Sequence, residues 1–261
     1  MSFFVNNVEL KEATFNQQEV KSIYFNTHLI WEANSLPDSW PAAGTPLKDW
    51  TWEEIINLCN SGKDVRQYFS IGDTRSLVLT TGEIVPVAIG DFYHNTISQT
   101  TKTAAIAFTF VNCLNTKYKM NESGTNSGGW NGSNMRKTHM PNILATFPAE
   151  LTANNAIKYV DVSASIGNTT LITSYDRLRL HSITELGESE QFAAIEGTVY
   201  PYYESLNDKR KSANGVLTTY WTRSSFTANE VSFYTCYYDI TNYFPGFGAD
   251  SNFGVACAFD I

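Results

Sequence analysis

Hydrophobic and polar positions alternate in different ways along three parts of the chain. Over residues 1–33 an apolar residue followed by Asn recurs every ten residues, in Val5-Asn6-Asn7-Val8, Phe15-Asn16-Gln17-Gln18 and Phe25-Asn26-Thr27-His28. Between these turn signals lie short strand-like runs at Glu9-Leu10-Lys11, Val20–Tyr24 and Leu29-Ile30-Trp31. Asn turns at a fixed spacing between alternating runs predict a small β-meander. Some thirty residues bury little surface, so this unit is expected to dock on another protein or to oligomerise. Residues 34–50 hold three prolines, Pro37, Pro41 and Pro46, and are expected to be a linker.

Helical spacing starts at Thr51-Trp52-Glu53-Glu54, a capping-box pattern in which the hydroxyl accepts from the backbone three residues on and Glu54 reaches back. Trp52, Ile55, Ile56 and Cys59 then share one apolar face, and Gly62 is the expected stop. Strand-like runs follow at 67–71, 76–81, 84–89 and 104–111, with a hairpin around Thr81-Gly82. Ser133 is an expected N-cap, Pro141 suits the first turn of a helix through Phe147, and Pro148–Ala153 adds a further turn. Residues 156–163 and 177–181 read as extended, and Ser182-Ile183-Thr184-Glu185 repeats the capping-box pattern before Gly187. Residues 51–261 are therefore expected to form one α+β domain of mixed antiparallel strands and short helices.

Composition narrows the function classes. The chain has 261 residues, 43% hydrophobic and 17% charged, with a formal net charge of −8, so it is globular and has no domain-wide basic footprint for nucleic acid. No apolar run approaches the roughly 18 residues that span a membrane. The first residues lack the basic and apolar regions of a signal peptide, so none is expected. Cys59, Cys113, Cys236 and Cys257 are widely spaced without a CxxC pair, which argues for buried reduced thiols and leaves a Cys236–Cys257 bridge open.

The segment from Tyr220 to Phe253 carries eleven aromatic residues against four charged ones, Arg223, Glu230, Asp239 and Asp250. Tyr, Ser, Asn and Gly make up surfaces that grip without strong charge. In residues 232–239 a period of two puts Phe233, Thr235 and Tyr237 on one face and Tyr234, Cys236 and Tyr238 on the other, and a one-sided sheet would turn one face outward. Tyr243-Phe244-Pro245-Gly246-Phe247-Gly248 is expected to be a loop displaying aromatic side chains. The candidate ligand-binding residues are Asn229, Tyr234, Tyr238, Asn242, Tyr243, Phe244 and Phe247.

Four elements resemble, in order, those of a prophage domain family of unknown function. They are Gly72-Asp73 with the hairpin that follows, Gly128-Gly129-Trp130 through Ser133 and Arg136, Leu178–Gly187, and Trp221-Thr222-Arg223-Ser224 with Gly254–Ile261. Ser225 stands where that family often has proline. The resemblance covers about residues 50–261. It implies a C-type-lectin-like fold displaying a loop surface, of the kind found at phage tail tips and in proteins diversified by retroelements. The aromatic, Asn- and Ser-rich C-terminal segment matches the residue spectrum of adenine-directed mutagenesis.

Those readings combine into an expectation: a non-enzymatic tail-tip or receptor-binding protein of the virion, contacting a host-surface glycan or protein and other tail proteins. A homo-oligomer such as a trimer fits the N-terminal unit, and neither nucleic acid nor membrane insertion is expected. Trp130, Arg136, Trp221, Arg223 and Ser224 are expected to be structural frame. No catalytic residue, metal ligand or cofactor is assigned. Asp239, Asp250 and Asn252 make only a weak calcium set, with two charges. Two alternatives are a structural phage protein whose aromatic segment is a subunit interface, and a glycan hydrolase using Asp239 with Asp250 or Glu185 with Glu196.

Overall fold

A computed structural model describes residues 41–261 except Glu190, Ser205 and 237–245, with the backbone alone at 206–207. Of residues 1–40 it describes the backbone of six short strands. The chain divides into two compact units, Met1–Ala42 and Ala43–Ile261.

The first unit contains β1 (Phe4–Val5), β2 (Val8–Glu9), β3 (Thr14–Phe15), β4 (Gln18–Glu19), β5 (Ser22–Phe25) and β6 (His28–Glu32). They pair as the antiparallel hairpins β1–β2, β3–β4 and β5–β6, flanking the Asn-containing pairs at 6–7, 16–17 and 26–27. Among the described residues these hairpins are not paired with one another.

The second unit begins earlier than a linker over 34–50 would allow. Leu47 and Trp50 are buried, and the Trp50 ring packs edge-on against Phe69 at 4.9 Å. Helix α1 (Trp52–Asn60) carries the full capping box at Thr51 and buries Trp52, Ile55 and Leu58. Leu58 rather than Cys59 completes its inner face. The expected strand at 67–71 is not formed. Asp64 caps a 3-10 turn at Val65–Gln67 through the Arg66 amide, and that local bond takes the chain out of extended conformation.

Strands β7 (Thr74–Val78), β8 (Ile84–Phe92) and β9 (Ile106–Phe110) follow. The short helix α2 (Gly129–Gly132), a π-helical turn at Met135–His139, α3 (Met140–Leu144) and α4 (Ala149–Thr152) make up the helical middle. Ser133 ends α2 yet also accepts from the Arg136 amide, so its hydroxyl acts on both sides of the break. Next come β10 (Val160–Ser165), β11 (Leu171–Asp176), β12 (Leu178–Leu180), the helical turn α5 (Leu206–Lys209), and the hairpin of β13 (Ser212–Ala213) with β14 (Val216–Leu217). The chain closes through β15 (Tyr220–Ser225), β16 (Ser232–Cys236), β17 (Gly246–Gly248) and β18 (Cys257–Asp260).

The main sheet has the antiparallel order β12-β18-β9-β8-β7, and a second sheet has the order β15-β16-β17. One face of the main sheet is an aromatic core. Phe108 of β9 stacks on Phe259 of β18 at 5.2 Å, Trp52 of α1 meets Phe108 at 5.6 Å, and Phe147 meets Phe259 at 5.5 Å. The opposite face carries Thr109, His181, Tyr200 and Tyr203, which are buried and hydrogen-bonded. The unit is therefore α+β, as its sequence pattern implies. Among the described residues no helix is long and apolar enough to cross a membrane.

Candidate functional site

Every residue of β15 is buried, including its charged member. A buried charge needs a partner and satisfied donors. Arg223 finds both: Nη1 and Nη2 donate to the two Glu185 carboxylate oxygens at 2.6 and 2.7 Å, Nη1 also to the Leu180 carbonyl at 3.0 Å, and Nε to the Ser163 carbonyl at 3.2 Å. The arginine thus ties β15 to β10, to the end of β12 and to the turn at 182–187. Burial alone would raise the Glu185 carboxyl, but Arg223 and His181 overcome it and hold the group well below the usual carboxylate range.

Glu185 also shows how a local signal is recruited. Both capping-box bonds form, from the Glu185 amide to Ser182 Oγ at 3.0 Å and from the Ser182 amide to Glu185 Oε2 at 3.2 Å. No helix follows, because Gly187 at φ +78° ends a single turn and the carboxylate points inward to Arg223. His181 Nδ1 lies 3.1 Å from Glu185 Oε2, and Nε2 lies 3.0 Å from Thr109 Oγ1. Burial pushes the ring down to about 4, against the pull of Glu185, so it is neutral at neutral pH. A neutral ring that donates Nδ1–H to Glu185 accepts at Nε2 from Thr109, whose oxygen accepts in turn from Tyr203 OH at 2.6 Å.

Two further clusters complete this frame. Ser224 Oγ donates to the Glu196 carboxylate, which also accepts from the Ser165 amide at 2.6 Å, and burial raises the Glu196 carboxyl. Gly197, at φ +79°, leaves room there: a Cβ on it would lie 2.7 Å from Glu185 Oε1. Arg179 pairs with Asp260, and Asn95 Nδ2 donates to Asp260 Oδ1 and to Tyr200 OH, each at 2.7 Å. All of these side chains are buried.

Loops rise from this base. The Trp221 indole donates to the Tyr118 carbonyl at 2.8 Å and meets Phe253 at 5.0 Å, and Phe253 meets Phe247 at 4.9 Å. The turn between β15 and β16 is held from within by Asn229, whose Oδ1 accepts from the amides of Val231 and Ser232 at 3.0 and 2.9 Å. It is held from beneath by Asn126, whose Nδ2 donates to the carbonyls of Phe226, Asn229 and Ser232 at 2.8–3.0 Å. Thr227 binds the Phe192 carbonyl through its amide and its hydroxyl, and the Phe226 and Phe192 rings meet at 5.5 Å. Phe192, which contacts the turn, is 41% exposed, and Val231 within it is 49% exposed.

The expected binding residues divide sharply. Asn229 is exposed and Phe247 is half-buried against Phe253. Tyr234 is only 2% exposed, packing on Phe226 at 5.1 Å, and Phe233 on the opposite face is fully buried. The expectation that one face of β16 points outward is therefore corrected: both faces are covered, and Tyr234 belongs to the core. Tyr238, Asn242, Tyr243 and Phe244, along with Tyr237 and Asp239, lie outside the described residues. Among the described residues no group of three His, Cys, Asp or Glu could hold a metal ion. The hydrolase pair Glu185 and Glu196 is buried and engaged with Arg223 and Ser224, so it does not flank a cleft.

All five expected frame residues make internal contacts. Besides the β15 residues, Trp130 Nε1 donates to Asp176 Oδ2 at 2.8 Å and Arg136 Nε to Asp176 Oδ1 at 2.6 Å. Gly129, at φ +53°, brings α2 against β10, where a Cβ would lie 1.9 Å from the Ser165 carbonyl oxygen. Cys236 and Cys257 are buried free thiols rather than a bridge, and Cys113 is buried beside Gly254, its thiol pushed up by burial to about 12. Asn126 and Phe192 are the residues of this region that sequence pattern does not single out.

The model of a family described as "Domain of unknown function (DUF6273)" matches residues 96–261. No curated protein and no solved structure matches the chain.

Proposed function

For this chain, which belongs to the DUF6273 family, we propose a non-enzymatic binding role in which the loops above β15 contact a host-surface glycan or protein. The observation that carries the reading is the contrast at Ser225. The six residues of β15 that end at it are buried, and the turn that follows exposes Asn229, Val231 and the neighbouring Phe192 with Glu230 as its one charge. Rigid support beneath a charge-poor aromatic and amide surface lowers the ordering cost of binding.

In this reading the four sequence elements reflect a C-type-lectin-like fold. The N-terminal hairpins dock the chain to other phage tail proteins or to copies of itself, and the C-terminal loops are candidates for retroelement diversification. Replacing Phe192, Tyr243 and Phe244 together by Ala, and measuring adsorption of the purified protein to host cells, tests it. At least a tenfold loss with an unchanged melting curve is expected. Unchanged adsorption sinks the site assignment.

The exposure of Phe192 and Val231 also suits a subunit interface. Size-exclusion chromatography of the same triple variant separates the two. A shift to a smaller species assigns this surface to self-association rather than to a receptor.

A further inference from the structure

A cleft of about 510 Å³ opens between α3 with the π-helical turn before it and the β11–β12 connection, a volume in the range of small-ligand sites. It shares no residue with the loops above β15. Its floor is apolar, with Met140 and Leu178 buried. Its rim carries three cations, Arg136, Lys137 and Arg177, and two tyrosines, Tyr159 at 52% and Tyr175 at 50% exposure.

The single carboxylate in the lining, Asp176, is already committed. Its oxygens accept from Trp130, Ser174 and Arg136 at 2.6–2.8 Å. Both guanidiniums are hydrogen-bonded along one edge only, and that of Arg177 also lies over the Tyr159 ring, 5.7 Å from its centroid. Arg136 donates Nε to Asp176 and Nη2 to the Tyr175 carbonyl, and Arg177 donates Nε to the Ile157 carbonyl and Nη2 to that of Thr152. Among the described residues, neither Nη1 group nor the Lys137 ammonium donates a hydrogen bond. In a chain of net charge −8, an oriented surplus of positive charge beside two half-exposed rings is a local departure.

We infer that this cleft binds an acidic saccharide, with a pyranose face on Tyr175 and a carboxylate on the free edges of Arg136 and Arg177. A planar guanidinium matches a carboxylate in two parallel hydrogen bonds, and aromatic rings take the apolar face of a sugar. A nucleotide is the competing occupant. It is disfavoured because phosphate is usually cradled by a Gly-rich loop or the start of a long helix, and the lining has neither.

Isothermal titration of the full chain with trigalacturonate, galactotriose and AMP tests the proposal. Trigalacturonate is expected to bind at least tenfold more tightly than galactotriose, and to weaken as salt rises. Tyr175→Ala should weaken it about tenfold. Lys137→Glu, at an exposed position whose side chain makes no internal bond among the described residues, should do the same with an unchanged melting curve. No heat with trigalacturonate at millimolar concentration, equal affinity for galactotriose, tighter binding of AMP, or an unaffected Lys137→Glu protein each overturns it.

Discussion

Arg223 meets Glu185 and Arg136 meets Asp176 with the same shortest contact, 2.6 Å. The two sites are nevertheless opposites. Arg223 is fully buried and every nitrogen of its guanidinium has a partner, so its charge serves only to hold β10, β15 and the 182–187 turn together. Arg136 is 21% exposed and keeps one edge unused. An ion pair that is dry and saturated supports structure, whereas one with spare donors at a cleft can also meet a ligand.

The largest expected effect comes from Arg223→Ala, which strands Glu185 without a counter-charge. Urea unfolding should show a loss of about 3–5 kcal/mol, the range for breaking a buried pair. If Arg136→Ala costs as much, the contrast fails. Its expected cost is smaller, about 1–3 kcal/mol, because Arg136 is partly exposed and Asp176 keeps its bonds from Trp130 and Ser174.

Acid should attack the dry site first. The His181 ring titrates near 4 in the fold against 6.5 when unperturbed, so between those values the unfolded chain binds the extra proton. Stability is then complete above about pH 6.5 and falls as pH drops, by roughly 3 kcal/mol at about 1.4 kcal/mol per pH unit. Glu185, held low, adds its own loss at still lower pH, while Glu196, held high, acts in the opposite sense. Melting temperatures from pH 7 to pH 4 measure this, and His181→Gln should flatten the profile.

Smaller effects probe what surrounds each site. Trp130→Phe removes the indole bond to Asp176 and should cost about 2 kcal/mol, seen as a lower urea midpoint. Asn229→Ala frees the Val231 and Ser232 amides and should cost about 1 kcal/mol while leaving the melting curve cooperative. A larger loss there would mean that the turn belongs to the rigid base rather than rising above it.

Local pattern sufficed wherever the bonds are local. The capping box at Thr51 and the β7–β8 hairpin are legible from neighbouring residues. Legibility fails where distant chain decides. Alternation in Ser232–Cys236 is real, but covering elements bury both faces, so Tyr234 cannot be sorted from Phe233 by period alone. Glu185 shows a helix-start signal, yet its partner lies 38 residues away. Asn126 looks like any loop asparagine until the 226–232 turn, about 100 residues on, is laid over it. The 510 Å³ cleft likewise gathers residues from five elements, the π-helical turn, α3, α4, β11 and β12, whose separate sequences carry no shared motif.

Burial of Cys113 has a consequence for how opening of the fold can be watched. A buried thiol whose pKa burial pushes well up holds very little thiolate at pH 7 and is shielded from reagent while the fold is closed. Each iodoacetamide adduct at Cys113 therefore records an opening event that exposes the contact with Gly254. The slope of labelling rate against urea distinguishes local opening around Gly254 from global unfolding without any added probe.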